Sequence, residues 1–360
     1  MAITGNKGEW SEIYAFLKLL GEKKLYSGDE NLNRIEDLFY PIIKILRDER
    51  EAKYSYALTD DIVIVSENGV EILRKSIQDF LDKAQELLAI IKTHDKTFSA
   101  PEIETFMREI HCSTLKAKST DKTDIRIVIH DLRTGMQPLL GFSIKSQLGS
   151  PSTLLNPSAN TNFIYKVKGA TFSDEQIKII NNITTKGKIQ DRVDRIRSLG
   201  RSFEFIGISS RTFLNNLVLI DSYLPNILSN IVLEYYSTNN NEIRKLTESI
   251  ASRNPAKYDI SDNHNYYEYK IKNLLTDVAL GMVPGVVWTG RYQANGGYLV
   301  VKSDGDVVCY HFYDKNLFED YLYHNTRLDT PSSTRYGFGV IEKAEDGTLI
   351  FKLNLQIRFL

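Results

Sequence analysis

The chain has 360 residues, a length that fits one large domain or two of ordinary size. Its 42% hydrophobic and 25% charged residues are ordinary globular values, which excludes a fibrous, collagen-like or intrinsically disordered chain. Because 45 basic residues face 46 acidic ones, the net charge is -1 and no overall positive field marks a nucleic-acid partner. Any such site must come from a local excess of one charge.

The cysteine content and the N-terminus indicate where such a chain resides. Two cysteines, Cys112 and Cys309, cannot form a disulfide framework and suit a reducing compartment. The first 20 residues carry charges throughout, unlike a signal peptide, and nowhere do 18 apolar residues follow one another. We therefore expect a cytoplasmic protein with no membrane segment.

Apolar spacing gives the secondary structure in chain order. Periods of three and four predict helices over residues 9–20, 32–46 (with a kink at Pro41), 72–91, 101–112 (capped near Ser99) and 266–280. Strands are predicted over 54–65 (with a turn at Asp60–Asp61), 124–130, 139–147, 203–208 and in parts of 288–313, with further helices between 174 and 252. This mixture predicts an α/β core with helical insertions.

One pair of strands carries candidate catalytic residues. Asp124 precedes the strongly alternating strand Ile125–Ile129, and Ser143-Ile144-Lys145 lies on the next strand. An aspartate followed by a hairpin that ends in acid-x-lysine resembles the core motif of a large superfamily of metal-dependent nucleases. A carboxylate holds a divalent ion there, and a lysine places a compact positive charge near the attacked phosphate.

Strand alternation assigns the side chains of the second strand to two faces. Ser143, Lys145 and Gln147 share one face, which we expect to line a cleft, and the Ile144 carbonyl is then a candidate metal ligand. Taken alone, such a spacing is common by accident, and Lys145 could equally be a solvated strand residue. Glu12, one turn beyond Gly8 on the first helix, is a further candidate carboxylate, or it only complements the helix N-terminus.

Longer segments resemble a particular family. The run from Gly141 to Ser150, with the following 153–156 and 161–163, closely resembles the catalytic region of HpaII-type type II restriction endonucleases. The opening residues 1–14 and the closing segments 331–339 and 353–359 look like the ends of the same family. The resemblance thus spans the whole chain.

This resemblance implies a restriction-endonuclease-like mixed-sheet core and Mg²⁺-dependent, sequence-specific cleavage of double-stranded DNA, with the short palindrome CCGG as the expected site. It also implies a restriction-modification system with a cognate cytosine methyltransferase that acts on the same site. A palindromic site favours a homodimer, although a monomer that cuts each strand in turn stays open. Residues 1–170 are expected to form the nuclease core with a helical insertion, and 171–360 the rest of the core and the DNA-recognition elements.

Ser143 departs from the superfamily pattern, since many of these nucleases have an acid there. The second carboxylate must come from elsewhere, and Glu12 is the first candidate, with Gln147 orienting water or phosphate. Glu104 and Glu109 are the alternatives. Whether one metal ion or two takes part is left open. The expected metal ligands are thus Asp124, the Ile144 carbonyl and Glu12.

The DNA contacts are predicted from local charge and loop composition. Residues 186–211 hold seven basic against three acidic residues, a net of +4, which suits phosphate binding but also a solvated helix face. The candidate DNA-binding residues are Arg195, Arg197, Arg201, Arg211, Arg327, Arg335, Ser152 and Asn156.

Other chemistries fit less well. His111, Cys112, Cys309 and His311 lack the paired spacing of a zinc site, and no nucleotide-binding glycine-lysine loop is present. Two alternatives to a restriction enzyme are kept: a structure-specific repair or junction nuclease of the same superfamily, and a catalytically inactive DNA-binding protein.

Overall fold

The computed structural model describes residues 2–49, 52–116, 123–169, 172–292 and 295–360. The chain folds as two compact units that alternate along the sequence. Unit 1 consists of Met1–Ser152 and Gln293–Tyr321, and unit 2 of Thr153–Tyr292 and Leu322–Leu360.

Helices and strands are interspersed along the described residues, which makes the protein a mixed α/β structure. The helices are α1 (Lys7–Glu22), α2 (Ile77–Thr93), α3 (Pro101–Glu109), α4 (Asp174–Asn181), α5 (Lys188–Ser198), α6 (Arg211–Ile220), α7 (Leu224–Tyr235), α8 (Ile243–Arg253), α9 (Tyr266–Ala279) and α10 (Lys315–His324). The strands are β1 (Lys24–Gly28), β2 (Arg34–Asp48), β3 (Lys53–Thr59), β4 (Ile62–Glu67), β5 (Val70–Ser76), β6 (Ile125–Ile129), β7 (Leu139–Ser146), β8 (Thr153–Leu155), β9 (Asn162–Lys168), β10 (Ser202–Ile208), β11 (Gly297–Val301), β12 (Val307–His311), β13 (Thr326–Leu328), β14 (Ile341–Lys343), β15 (Leu349–Asn354) and β16 (Ile357–Phe359).

A mixed sheet forms the centre of unit 1. Within the described residues it has nine strands in the order β1-β12-β11-β7-β6-β2-β3-β4-β5, and β1 pairs with β2 as well. Strands β6 and β7 form an antiparallel pair, whereas β7 runs parallel to β11. The middle of this sheet therefore consists of the two strands that the nuclease motif predicts, with β11 beside them.

Helix α1 covers this sheet because its sequence is apolar and its start is well capped. The Asn6 side chain accepts a hydrogen bond from the Glu9 amide, and the Glu9 carboxylate accepts one from the Asn6 amide, which satisfies two free donors at the helix start. The predicted apolar face, from Trp10 to Leu20, is buried in the core of unit 1. This packing holds the polar first turns of α1 at a fixed place beside β7.

Unit 2 contains two smaller sheets and a group of helices. One sheet has the strand order β10-β9-β15-β14 and the other β13-β16-β8. Helices α4 to α9 belong to the same unit. Among the described residues no single helix is long and apolar enough to cross a membrane. Within the same residues, only α6 and α7 taken together reach the required length and apolar composition, and they are bent by 111° relative to each other.

One predicted element near the start of the chain is wrong. Residues 32–46, predicted as a kinked helix, form strand β2 instead. Its aromatic and β-branched residues favour a strand, and Pro41, which has no amide hydrogen, lies where β2 changes its partner from β1 to β6. The strands predicted over 54–65 with a turn at Asp60–Asp61 are confirmed as β3 and β4. The segment between α1 and β6, where a helical insertion was expected, contains five strands besides α2 and α3.

The start of α2 also differs from the prediction, and α3 lacks a capping side chain. Residues 72–76 belong to β5, and α2 begins only at Ile77, where the Ser76 hydroxyl accepts a hydrogen bond from the Gln78 amide. Helix α3 begins at Pro101 as predicted, but its cap residue is Ala100, which has no capping side chain. The strands predicted over 124–130, 139–147 and 203–208 and the helix over 266–280 are confirmed.

Candidate active site

Asp124 is fixed at the start of the β6–β7 pair by backbone hydrogen bonds. Its amide donates to the Phe142 carbonyl at 2.8 Å, and its Oδ2 accepts a hydrogen bond from the Ile144 amide at 2.7 Å. Because Ile125 lies opposite Phe142, one further step of the antiparallel register brings Asp124 opposite Ser143. Its Oδ1 makes no hydrogen bond to any residue that the structure describes, which leaves one carboxylate oxygen for a ligand.

Lys145 lies on the same face as Ser143 by strand alternation. Its ammonium group lies 4.8 Å from the centroid of the Tyr298 ring. Burial lowers the pKa of Lys145, while the negative charges of Asp124 and Glu12 act in the opposite direction. The lysine is thus a half-buried positive charge that two carboxylates attract.

Glu12 provides the second carboxylate near this lysine. Burial raises its pKa to about 8, and the negative charge of Asp124 contributes in the same direction. The charges of Lys116 and Arg47 act against that shift but do not cancel it. Glu12 and Asp124 therefore form a pair of acids that is unfavourable when both are ionised and no cation is bound.

Helix α1 is tied to β7 by a direct hydrogen bond, in which the Ser11 and Ser146 hydroxyl oxygens lie 2.8 Å apart. Beside this contact is a cavity of about 770 Å³, here called the Glu12 cavity. Its lining includes Glu12, Ile144, Ser146 and the predicted DNA-binding residue Ser152. The positively charged side chains at its edge are those of Lys7, Lys96 and Lys116. Two of these lysines pair with acidic residues of the same lining, Lys7 with Asp95 at 3.4 Å and Lys116 with Glu9 at 3.5 Å. The cavity therefore places Glu12 beside a lining of mixed charge.

The structure places Gln147 differently from the other predicted catalytic residues. Its side-chain oxygen accepts a hydrogen bond from the Ser303 amide at 3.2 Å, in the turn that joins β11 and β12. Ser143 lies between Phe142 and Ile144 in β7 and is half-buried. Asp124, Lys145 and Glu12 thus lie near one another. The side-chain oxygen of Gln147 instead accepts a hydrogen bond from the turn between β11 and β12.

Both alternative carboxylates have other partners. Glu104 is buried and accepts a hydrogen bond from the Ile3 amide at 3.0 Å. Glu109 forms an ion pair with Lys75 at 2.8 Å. In the described parts of the chain, no group of three or more histidine, cysteine, aspartate or glutamate side chains could hold a metal ion. Within these parts, Glu12 is the carboxylate that interacts with both Asp124 and Lys145.

These donors fit a hard divalent cation. Two carboxylates and a backbone carbonyl are oxygen ligands, which such ions prefer, and water can complete the coordination shell. The raised pKa of Glu12 supports the same conclusion, because a bound cation would relieve the repulsion between the two acids. Asp124 and Glu12, with the Ile144 carbonyl, could therefore hold one divalent ion.

The predicted DNA-binding arginines lie in unit 2 and differ in their exposure to solvent. Arg195, Arg197, Arg211 and Arg335 are exposed. Arg201 is half-buried, since it donates to the Leu199 carbonyl at 2.9 Å and lies over the Phe172 ring.

Two further predicted DNA-binding residues of unit 2 lie at its strands. Arg327 is half-buried in β13, and its Nε is buried without a hydrogen-bond partner among the described residues. Asn156 is exposed and directly follows β8.

Arg192, which belongs to the same basic segment, has a structural role instead. It is buried and donates hydrogen bonds to the carbonyls of Gly339, Asn181 and Ile183. Its spacing from Ile189, Val193 and Ile196 places it on the apolar face of α5, a signal that the net charge of the segment does not reveal.

A second cavity was not predicted from the sequence. It measures about 530 Å³, lies in unit 2 and is here called the Lys186 pocket. It is lined by residues 186–190 at the start of α5, by 235, 236 and 238–241, and by the hydroxyl-rich loop 330–333. Among these lining residues are two lysines, Lys186 and Lys188, and no aspartate or glutamate. The hydroxyl-rich loop and the Asn239–Asn241 run were visible in the sequence, but their proximity depends on the fold.

The comparisons with known proteins identify the class of protein. A sequence model of the HpaII restriction endonuclease family matches residues 6–359, and the chain therefore belongs to this family. The chain is also 49% identical over 361 aligned residues, covering 99% of each chain, to the type II restriction enzyme HpaII of Haemophilus parainfluenzae. No solved structure matches the chain. Its activity is accordingly that of a type II restriction endonuclease.

The acid pair predicts how stability depends on pH. Glu12 has a raised pKa in the folded state, so the unfolded protein loses this proton at lower pH and stability falls between pH 4.5 and about 8. We expect Glu12→Gln to raise the free energy of unfolding at pH 8.5 without divalent ions, by on the order of 2–4 kcal/mol. Near pH 5 the two proteins should differ little, as urea denaturation at both pH values will show.

The exposed Glu36→Gln variant is the matched control and should follow the wild type at both pH values. A divalent ion should stabilise the wild type more than Glu12→Gln, because the variant lacks one ligand charge. Equal stability of wild type and Glu12→Gln at pH 8.5 would contradict the raised pKa of Glu12 beside Asp124.

Proposed function

We propose that this restriction endonuclease cleaves double-stranded DNA at the palindrome CCGG with Mg²⁺, using Asp124, Glu12 and Lys145. The observation that carries the proposal is the Asp124 carboxylate, held by the Ile144 amide beside a half-buried lysine and a second acid. The central position of the β6–β7 pair in a mixed sheet supports a restriction-endonuclease-like core. The 49% identity to the type II restriction enzyme HpaII supports the same substrate class.

Each residue then has a definite role. Asp124 Oδ1, the Glu12 carboxylate and the Ile144 carbonyl would hold the ion, which when bound stabilises the negative charge that builds up on the phosphate oxygens. Lys145 keeps its positive charge beside the attacked phosphate and donates hydrogen bonds to its oxygens or to the attacking water. Ser143 supplies no carboxylate, so the ligand set is completed by water in this proposal.

The partners follow from the palindrome. A homodimer would present two equivalent sites to the two strands of a symmetric sequence. A cognate cytosine methyltransferase that acts on the same sequence would protect the host DNA without needing to bind the endonuclease. Unit 1 carries the catalytic residues, and we assign DNA recognition to unit 2, including its exposed arginines.

Digestion of plasmid DNA with Mg²⁺, followed by mapping of the ends, tests the proposal. We expect discrete fragments cut within CCGG by the wild type and a loss of at least about 100-fold in rate for Lys145→Ala, since one such charged donor contributes that much. The exposed Lys53→Ala variant should cut like the wild type.

The other outcomes separate the alternatives. Cutting at branched or damaged DNA without sequence preference would indicate a structure-specific nuclease instead. Equal inactivity of wild type and Lys145→Ala on plasmid DNA would indicate a DNA-binding protein without catalysis.

We further propose that the Lys186 pocket binds DNA phosphates. Neither Lys186 nor Lys188 forms an ion pair with a residue that the structure describes, and no carboxylate lines the pocket. Helix α5 begins there at Lys188 without a capping side chain, so its first amides also face an anion favourably.

Replacing both lysines should weaken DNA binding and reduce its dependence on salt. For the Lys186→Ala/Lys188→Ala double variant we expect the slope of log K against log salt to fall by about 1.8, since each lost phosphate contact removes about 0.9. The measurement is fluorescence anisotropy of a CCGG duplex with Ca²⁺ at several salt concentrations.

The control is Arg244→Ala/Lys245→Ala, which removes two charges of α8 that already pair with Glu248 and Glu242. Its slope should stay close to that of the wild type. If the two double variants gave the same slope, the pocket would not be a phosphate site.

A further inference from the structure

The ammonium group of Lys145 is held by an unusual contact for a catalytic lysine. It makes no hydrogen bond or ion pair with any residue in the described ranges, and Asp124 and Glu12 act on it only at longer distance. The Tyr298 ring, 4.8 Å from the ammonium nitrogen, is the group that faces it. A lysine side chain has four rotatable bonds, so without such a contact its end would sample many positions.

Tyr298 is itself rigidly placed. It lies in β11, where it pairs in parallel register with Ser143 of β7, and it is only 4% exposed. The fully buried Phe318 of α10 packs edge-on against its ring, with centroids 5.4 Å apart. Gly297, just before it, has a φ of +117°, and a Cβ there would collide with the Tyr310 carbonyl oxygen. The ring therefore cannot turn away from Lys145 without disturbing the central strands.

We propose that Tyr298 is a positioning residue, whose ring holds the Lys145 ammonium group beside Asp124 while leaving its N–H groups available to the substrate. This inference deepens the proposed function and rests on it for the role of Lys145. The physical reason is that an aromatic face attracts a cation through its quadrupole and accepts no directed hydrogen bond. An ion pair would also hold the lysine, but it would occupy the donors that the phosphate needs.

The first test needs no activity and no metal. In protein labelled with ¹³C at the lysine ε-carbon, the Lys145 signal, assigned by its absence in Lys145→Arg, should be shifted upfield by the ring current of Tyr298. In Tyr298→Leu this signal should move to the position of the exposed lysines. A Lys145 signal that is not shifted in the wild type, or that is unchanged by Tyr298→Leu, would overturn the proposal even if the enzyme cleaves DNA.

The second test measures coupling between the two residues. Under single turnover on a CCGG duplex with Mg²⁺, Tyr298→Leu should slow cleavage about ten-fold, while the affinity for the duplex with Ca²⁺ changes less than about two-fold. In the Lys145→Ala background, Tyr298→Leu should change the remaining rate less than about two-fold. An equal loss in both backgrounds would show a general structural effect and overturn the proposal.

Variants that keep the shape of the ring guard against misfolding. Phenylalanine at position 298, and phenylalanines with one, two and three ring fluorines, preserve the packing against Phe318 while the negative face of the ring weakens. Cleavage should slow step by step along this series, and a constant rate would contradict the proposal. Tyr56→Leu, which removes another fully buried ring of unit 1, is the control and should not shift the Lys145 signal.

Discussion

The hydrogen bond from the Ile144 amide to the Asp124 carboxylate is the contact on which the proposed catalytic arrangement depends. It joins the start of β6 to the end of β7, so that the carboxylate, the Ile144 carbonyl and Lys145 keep a fixed geometry. The charge-assisted bond also consumes only one oxygen of Asp124, and the other stays available. Because β7 is held on both sides, by β6 and by β11, the hairpin cannot slide and carry these groups apart.

The charged groups of the site lower the stability of the protein when no ion or DNA is bound. Burial favours a neutral Glu12 and a neutral Lys145, as the directions of their pKa shifts record. A divalent ion and a phosphodiester would supply the missing charges, one to the acids and the other to the lysine. Functional sites commonly hold charged groups in such unfavourable surroundings. Here the hydrophobic core of unit 1 supplies the stability that offsets the cost.

The sequence predicted the catalytic hairpin because its signals are local. Alternation of Ile125, Ile127 and Ile129 identified β6, and the spacing to Lys145 identified its partner strand. Glu12 was a candidate because the first helix resembles the one that opens related nucleases, with the helix N-terminus as the alternative explanation, and α1 places it near Asp124 and Lys145. The helix predicted over 32–46 failed because apolar spacing in a strand that changes partners can match a helical period.

The remaining features depend on contacts that are distant in the sequence. Tyr298 reaches Lys145 only because β11, far along the chain, pairs with β7. The Lys186 pocket likewise combines three separate segments of unit 2. Burial separates Arg192 from the exposed arginines of α5, and the local charge count missed this difference although helical spacing places Arg192 on the apolar face.

The position of a bound divalent ion tests the central claim most directly. Crystals of the protein with a CCGG duplex and Mn²⁺ would show the ion by its anomalous scattering. The account predicts a peak within coordinating distance of Asp124 Oδ1 and the Ile144 carbonyl, beside a phosphate that also contacts Lys145. An ion bound elsewhere in the protein, with Asp124 and Lys145 remote from the DNA, would contradict it.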